Sequence, residues 1–339
     1  MKAGSVSLIA WRWGAKAVIA LAGLGLAGCG AALPAQHALR LVRDDTTISV
    51  YGLRAAAQEV PILRYRYAGL PPTPSKPYVK EFYSPAGVNV LRDMVPDHLH
   101  HHGLMFAVQA DDVNTWPESQ GSGSQVHRDL TGLKTDALAG LRRATWTQLL
   151  DWRLPGSDRT ALTEQRTIEV YRGSHLDAAL LTWESCLSAP GGKPPVTLRG
   201  SEYYGLGVRF VQSMDKNGEH FNADGKVGVE GTNGARSDWC AYTAEADGHP
   251  VTVALFDHPN NPRHPATWYT LTKGFAYVSA TLNLKNEPLT LAPSQPVVLR
   301  YGVAIWDGRA QPEVIKALYR KWTSMLPTAT TDRAMVKNP

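Results

Sequence analysis

The sequence has 339 residues, of which 43% are hydrophobic and 19% charged, and it contains 23 prolines and 30 glycines. This balance is typical of a globular protein with many loops and argues against an intrinsically disordered chain. The formal net charge of +5 falls to +2 when the three basic residues of the first 28 positions are left out. Because the sequence also has no zinc-finger spacing, RNP-like aromatic motif or long basic run, nucleic acid is not an expected partner.

The amino-terminal segment is typical of an export signal. Lys2, Arg12 and Lys16 precede the apolar run "AVIALAGLGLAG", which ends at Cys29 and is shorter than the ~20 residues that span a bilayer. We therefore predict a signal peptide over residues 1–28. The tetrapeptide "LAGC" resembles the lipobox of bacterial lipoproteins, and this resemblance implies cleavage before Cys29 and a lipid on its thiol and new amino group.

An ordinary signal peptide followed by an unrelated cysteine is the alternative. The lipoprotein hypothesis predicts an exported protein that contacts the membrane only through the lipid on Cys29, on the periplasmic side of the outer membrane or at the cell surface. Gly30, which follows the cysteine, favours the outer membrane. Cys186 and Cys240 would share an oxidising compartment, where they could pair, but the sequence does not show whether they meet.

The body of the chain is rich in predicted strands. Runs such as "TTISVYG", "ILRYRYAG" and "YYGLGVRFV" show the strand period of two and are bounded by Gly, Pro, Asn and Asp. A dozen or more such runs predict an all-β fold, a large antiparallel β-sandwich with few helices. The one convincing helix is "QPEVIKALYRKWTSML", where Pro312 suits the first helical position. We expect a tether over residues 29–46, a single domain over 47–327 and a tail over 328–339.

The stretch "PDHLHHHG" at residues 96–103 holds four of the eleven histidines. In an extended strand, His98, His100 and His102 would share one face and His101 would lie on the other. Because Pro96 and Gly103 bracket the run, we favour a loop or strand entrance at which several imidazoles converge on a pocket. Imidazole exchanges protons near neutral pH and, when neutral, binds divalent metals.

A second polar stretch, "FDHPNNPRHPATWY", follows a strand-like run. It delivers Asp257 and His258 into a loop stiffened by prolines, with Arg263, His264 and Trp268 behind them. Proline restricts the backbone, so such a loop loses little entropy when it holds a ligand. We expect this loop and the histidine run to face a common hollow.

Other polar residues occur in strand-like contexts that would direct them inward, which is costly unless they are paired or functional. They are Arg92, His127, Glu202, Arg209 and Arg236. The segment 114–125, "NTWPESQGSGSQ", could cover a site or could be a solvated hairpin excursion. There is no glycine-rich phosphate loop, "GxSxG" elbow or "HExxH" helix, so nucleotide-dependent transfer, serine hydrolysis and zincin proteolysis are disfavoured.

Several motifs resemble a bacterial secreted family described as "methane oxygenase PmoA-like", a family of unknown function. The motifs are "VNVLRDMVPDHLHHHGLMFA", "QVHRDL", "LTEQRTIEVY", "EYYGLGVRF", "GARSDWCAY" and "FDHPNNPRHPATWY", and the resemblance covers roughly residues 60 to 308. Against the family pattern "DHPHHRGLWFA", the matching positions are Asp97, His98, His100, His101, Gly103 and Leu104, whereas Leu99 and His102 depart from it. The resemblance carries no catalytic assignment. The size, strand content and "HHG" element are also similar to the supersandwich of the galactose-mutarotase type, which implies a carbohydrate ligand.

These observations lead to three hypotheses. The first is a carbohydrate-active enzyme that acts on a sugar or oxidised glycoside by proton transfer, as an epimerase, lyase or glycoside-cleaving enzyme. Its predicted acids and bases are His100, His101, His127, Glu202 and Asp257. Its predicted substrate-binding residues are Arg92, Asp97, Arg209, Arg236, His258, Arg263, His264 and Trp268.

The second hypothesis is a metal-dependent enzyme in which His98, His100 and His127 hold a divalent metal. The third is a non-catalytic glycan-binding surface lipoprotein. The sequence names no other cofactor and does not choose the substrate.

Overall fold

The computed structural model describes residues 38–53, 58–69, 75–96, 98–191, 194–293 and 295–325. The predicted signal peptide, Cys29, Asp97 and the tail 328–339 lie outside these residues. Within the described ranges, no helix has the length and hydropathy needed to cross a bilayer.

Two eight-stranded antiparallel sheets form the body of the protein, with strands numbered along the chain. The first sheet runs in the spatial order β1 (Leu39–Arg43), β2 (Thr47–Leu53), β3 (Glu59–Arg66), β4 (Tyr78–Phe82), β7 (Leu104–Ala107), β15 (Gly205–Arg209), β20 (Tyr277–Thr281) and β19 (Thr267–Leu271). The second runs β10 (Ser124–Leu138), β11 (Leu141–Arg153), β12 (Thr160–Arg172), β13 (Ala179–Ser188), β22 (Val297–Asp307), β18 (His249–Asp257), β17 (Trp239–Ala246) and β16 (Glu219–Asn222).

The remaining described elements are short apart from one helix. A four-stranded sheet contains β21 (Leu289–Leu291), β14 (Val196–Arg199), β8 (Gln109–Ala110) and β9 (Val113–Asn114), and a two-stranded sheet contains β5 (Asp93–Val95) and β6 (His98–His102). The helices are α1 (Gly228–Thr232), α2 (Pro312–Met325) and a 3-10 turn at Gln212–Asp215.

The strands form where apolar residues alternate with polar ones. In β2, for example, Ile48 and Val50 are fully buried while their neighbours are partly exposed, as the strand period of two requires. Large side chains from both sheets, including Tyr65 and Phe106 of the first and Trp146 and Trp183 of the second, build one continuous core. The predicted all-β antiparallel sandwich is therefore confirmed.

The predicted carboxy-terminal helix is confirmed as α2. Ile315, Leu318 and Trp322 recur at helical spacing and pack on Phe256 and Ala304 of the second sheet. The Trp322 indole also donates a 2.9 Å hydrogen bond to the Thr182 hydroxyl. This helix therefore covers the face of the second sheet that turns away from the main core.

The tether prediction was wrong for part of its range. Leu39–Arg43 forms β1, which pairs with β2 at the edge of the first sheet. Leu39 and Leu41 pack against the main core, so this segment gains more from sheet pairing and burial than a solvated tether would. Cys186 and Cys240 lie on different strands, β13 and β17, and do not form a disulfide with each other.

Candidate active site

Strand β6 brings three imidazoles into mutual contact. The ring centroids of His98 and His101 are 4.7 Å apart, those of His100 and His101 4.5 Å, and those of His98 and His100 5.8 Å. His101 therefore does not lie apart on the other face, as it would in a regular extended strand. The pairing of β6 with β5 contains a register shift between Asp93 and Val95, and such irregularities redirect side chains.

Gly103 follows this strand, at a point where two segments of the backbone lie very close together. Its φ is +25°, and a Cβ built on it would lie 2.2 Å from the Val79 carbonyl oxygen. The glycine amide donates to the Arg92 carbonyl at 2.9 Å, and the glycine carbonyl accepts from the Arg209 amide at 2.8 Å. A side chain at residue 103 would therefore separate the histidines from the sheet that supports them.

Aromatic side chains from four other segments surround the histidines. Phe275 lies 5.0 Å from His98, and Tyr277 stacks on His101 at 5.6 Å between ring centroids. Trp116 lies 6.3 Å from His101 and also contacts Tyr203 and Tyr204. We call the whole set the ring cluster, and its members are His98, His100, His101, Trp116, Tyr203, Tyr204, Tyr269, Phe275 and Tyr277.

The ring cluster has a buried layer and an accessible layer. His101, Trp116, Tyr204 and Tyr277 are buried, with exposures of 2% to 7%. His98, His100, Tyr203, Tyr269 and Phe275 are partly exposed. A ligand could therefore touch imidazole and aromatic faces together without any rearrangement of the core.

Strand register places the cluster on one face of the first sheet. Gly207 lies opposite Ser279, and Arg209 opposite Tyr277, in the pairing of β15 with β20. A Cβ built on Gly207 would lie 1.7 Å from the Tyr277 hydroxyl, so this hydroxyl occupies the space that a side chain at residue 207 would need. Because Gly207 has no side chain, the tyrosine can lie flat over the strand.

Arg209, which the sequence predicted to bind substrate, lies beneath the cluster. Its guanidinium carbon is 3.7 Å from the centre of the Phe275 ring, and the residue is 2% exposed. Arg92 lies nearby and acts indirectly: its side chain is 3.5 Å from Asp215, whose other oxygen accepts the Ala276 amide at 2.8 Å. These contacts hold the backbone between Phe275 and Tyr277 in place.

Burial keeps His100 and His101 neutral at pH 7. Desolvation, reinforced by the positive charge of Lys76, lowers the pKa of His100 to about 4. Desolvation and the neighbouring imidazoles lower the pKa of His101 to about 2. Burial raises the pKa of Tyr277 above its usual range, so the tyrosine remains protonated.

The fourth histidine of the run, His102, belongs to a separate buried network. Its Nδ1 lies 2.9 Å from Asp93 and its Nε2 lies 3.0 Å from Glu118. Glu118 also accepts a 2.6 Å bond from Lys76, and Tyr78 stacks on the His102 ring at 4.5 Å. Sequence reasoning missed Glu118 and Lys76. The only available signal was the candidate covering loop 114–125, which contains Glu118.

His127 does not join the other histidines. It lies on β10, where its ring contacts Tyr67 at 5.0 Å and its Nδ1 lies 3.2 Å from the Gln148 amide. Among the described residues, no group of three or more His, Cys, Asp or Glu side chains is arranged to hold a metal ion. The predicted ligand set of His98, His100 and His127 was therefore wrong.

The proline-stiffened loop forms its own hydrogen-bonded centre. His264 Nδ1 lies 2.8 Å from Asp257 and its Nε2 lies 3.3 Å from Asp238. Asp257 also accepts a 2.7 Å bond from Asn261. The Asp257 bond and charge raise the pKa of His264.

This loop lies at the opposite end of β20 from the ring cluster. Arg263 donates to the carbonyl of Leu282, just beyond the end of the strand, whereas Tyr277 begins it. Five residues of strand span about 16 Å. The two loops thus make these contacts at different ends of β20, and a common hollow between them stays a prediction.

Other predicted site residues have structural partners. Arg236 donates to the carbonyls of Arg263, His264 and Pro265, and Arg263 donates to those of Leu282, Glu287 and Pro288. These guanidinium groups hold the loop backbone together. The sequence had instead predicted that they bind substrate.

The last three predicted residues also lie outside the ring cluster. His258 accepts from the Asn260 amide and packs on Trp322. Trp268 is 1% exposed and, opposite Ala280, points to the other face of the sheet, so it offers no accessible ring. Glu202 is half exposed and forms a 2.6 Å ion pair with Lys285.

The fold and the cluster together define an antiparallel β-sandwich protein with an imidazole and aromatic site on one sheet face. The chain belongs to a family of unknown function, DUF6807, whose profile matches residues 53–320. No curated protein matches the sequence.

Several solved structures are similar to this chain at low identity. An α-galactosidase from Lactobacillus brevis is 8% identical with a TM-score of 0.39, over 80% of this chain and 39% of that one. A GH36 α-galactosidase from Geobacillus stearothermophilus in complex with stachyose is 11% identical with a TM-score of 0.39, over 80% and 41%. A protein provisionally described as a mutarotase, from Salmonella typhimurium, is 11% identical with a TM-score of 0.33, over 81% and 97%. This chain spans about two fifths of the length of the two α-galactosidases.

Proposed function

We propose that the protein is an enzyme that acts on a carbohydrate or an oxidised glycoside by proton transfer at the ring cluster. The observation that carries the proposal is the contact of the neutral, partly exposed His100 imidazole and its two neighbouring imidazoles with a continuous run of aromatic rings. Binding sites for small molecules combine apolar and aromatic walls with a few fixed polar groups. Aromatic rings provide flat apolar faces, and tyrosine adds a hydroxyl.

His100 is the proposed base. It is partly exposed, and its low pKa keeps a nitrogen lone pair available over the whole neutral range. His101 is buried at 6% exposure and supports the His100 ring through their 4.5 Å contact. Tyr277, protonated at neutral pH, is the proposed hydrogen-bond donor to a substrate oxygen.

Arg209 supplies the complementary charge. Its positive charge lowers the pKa of His101, and the same field would stabilise negative charge that develops on a bound substrate. The proposed step removes a proton from a carbon next to a carbonyl, and the electron pair moves to the carbonyl oxygen. In epimerisation the proton returns to the other face, and in elimination the neighbouring substituent leaves with its electron pair.

Proton abstraction fits the cluster better than glycosidic cleavage, which usually needs two carboxyl groups on either side of the bond. The described carboxyl groups of Asp93 and Glu118 lie 2.9 and 3.0 Å from the two ring nitrogens of His102. Glu202 pairs with Lys285 at the surface.

The test is product formation from a panel of glycosides and oxidised glycosides, followed by mass spectrometry. We expect product with the wild type and with His175→Ala, a control at an exposed histidine, and none with folded His100→Ala. Saturable glycan binding without product would contradict the enzymatic proposal and support a glycan-binding protein. We also propose that the protein is exported and held at the membrane by a lipid on Cys29, a proposal supported by the "LAGC" tetrapeptide.

A further inference from the structure

A cavity of about 430 Å³ lies at one edge of the sandwich. Its walls come from the chain after β3, the 118–123 loop, the start of β10 and the turn between β11 and β12. The polar side chains that line it include Ser75, Glu118, Ser122, Ser124, Gln125 and His127. Its volume lies within the range of roughly 300 to 1,000 Å³ that is usual for small-molecule sites.

One wall of the cavity carries a polar group that lacks a partner. Ser75 is 8% exposed, and its buried hydroxyl has no hydrogen-bond partner among the described residues. A buried hydroxyl without a partner costs roughly 1 to 3 kcal/mol. A ligand hydroxyl at this wall would remove that cost.

His127 provides a donor at the same cavity. The Gln148 amide nitrogen, which can only donate, lies 3.2 Å from His127 Nδ1, so Nδ1 accepts and Nε2 carries the ring proton. Burial lowers the pKa of His127, which favours this neutral form. Gln125 has its amide engaged with the Phe106 carbonyl and with Arg166, so it forms a fixed wall.

The cavity has no uncompensated charge on its lining residues. Glu118 is the one carboxylate among them, and Lys76 pairs with it at 2.6 Å. The lining residues themselves therefore offer no unpaired charge to offset the desolvation of a charged ligand.

We propose that this cavity binds a neutral, hydroxyl-rich small molecule the size of one sugar ring or a polyol. The proposal goes beyond the ring cluster and does not depend on catalysis there. Free polyols and sugar units share this chemistry, so the test includes both.

The experiment is a nuclear magnetic resonance titration of the purified protein with D-glucose, D-galactose, myo-inositol and glycerol, each up to 0.5 M. Acetate and methylammonium serve as charged comparisons. The signals of Ser124 and the Gln125 side-chain amide report the cavity, and the Trp116 indole reports the ring cluster. Ser124→Trp fills the cavity, Ser75→Ala removes the unpaired hydroxyl, and Ser174→Trp is a control at an exposed serine.

We expect at least one neutral probe to shift the cavity signals saturably, with a Kd in the millimolar range. Ser124→Trp should abolish these shifts, Ser174→Trp should leave them, and Ser75→Ala should weaken binding by roughly fivefold, the effect of one neutral hydrogen bond. Selective binding of the pyranoses identifies a sugar unit, and equal binding of glycerol and inositol identifies a polyol.

Three results would overturn the proposal: unchanged cavity signals with all four neutral probes, shifts that persist in Ser124→Trp, or equal binding of the charged comparisons. Shifts at the Trp116 indole alone would support the ring cluster and reject the cavity, so the two proposals fail separately.

Discussion

Glu118 lies 3.0 Å from Nε2 of His102, a residue with no solvent exposure. Asp93 lies 2.9 Å from the other ring nitrogen, and Lys76 lies 2.6 Å from Glu118. One buried lysine and one buried histidine therefore share these two carboxyl groups. This network fixes the loop that carries Trp116 to the strand that carries the other histidines.

Glu118→Gln is therefore expected to lower the free energy of unfolding by about 3–5 kcal/mol, because it leaves the buried Lys76 ammonium without its counter-charge. Urea denaturation measures this value. The matched control is Glu202→Gln, which breaks the exposed pair with Lys285 and should change stability by about 1 kcal/mol or less. An equally small effect of Glu118→Gln would contradict the assigned network.

The ionisation of His100 provides a second prediction. Nuclear magnetic resonance of the imidazole Cε1–H group should give a midpoint near pH 4 for His100, because desolvation lowers its pKa to about 4. The folded protein then binds this proton less readily than the unfolded chain, whose imidazole has a pKa of about 6.5. This group's contribution to stability is therefore complete above pH 6.5 and declines as the pH falls from about 6.5 to about 4. The pKa of His264 is raised, so His264 should titrate above pH 6.5. A His100 midpoint at 6.5 would show that the ring is solvated.

Gly207 tests the position of Tyr277. Gly207→Ala places a Cβ where the Tyr277 hydroxyl lies, at 1.7 Å, so the ring must move. We expect a loss of about 1–3 kcal/mol in unfolding free energy and weaker binding of any ligand at the ring cluster. Gly191→Ala, which meets no atom within 4 Å, is the control. Unchanged stability and binding in Gly207→Ala would contradict the described contact.

The lipid anchor is tested by labelling. Cells given radioactive palmitate should label the wild type and Cys186→Ala but not Cys29→Ala, because the resemblance to a lipobox assigns the lipid to Cys29 alone. Fractionation should release Cys29→Ala from the membrane. A Cys29→Ala protein that remains labelled would refute the anchor.

Sequence patterns predicted the sandwich well because strand formation depends on local alternation. The period of two in segments such as β2 and the helical spacing in α2 are visible without knowledge of tertiary partners. The boundaries of the domain were harder to predict from the sequence. Leu39–Arg43 pairs with β2, but nothing in the composition of this segment distinguishes an edge strand from a tether.

The site was predicted only in part, since its members meet through long-range contacts. The histidine run and Arg209 were identified, but Trp116, Phe275 and Tyr277 come from distant segments, and only strand register places them on one face. Register also explains the error at Trp268, which points to the other face of β19 from Tyr269.

The polar loop at residues 257–264 misled for a different reason. Arg263 in this loop and Arg236 beside it suit a carboxylate or a sugar hydroxyl, but an irregular loop also leaves many backbone carbonyls that need donors. Arg236 and Arg263 fill that need. A sequence does not show which of these two demands a guanidinium group meets.

Solvent deuterium exchange tests the proposed proton abstraction at His100 most directly. Oxidised glycosides are incubated with the protein in D₂O, and mass spectrometry follows deuterium entry at the carbon next to the carbonyl. The account predicts that the wild type and His175→Ala accelerate exchange above the buffer rate, and that His100→Ala reduces this acceleration by about 10²–10⁴-fold, the usual contribution of a general base. Exchange at the buffer rate with the wild type, or full acceleration with His100→Ala, would contradict it.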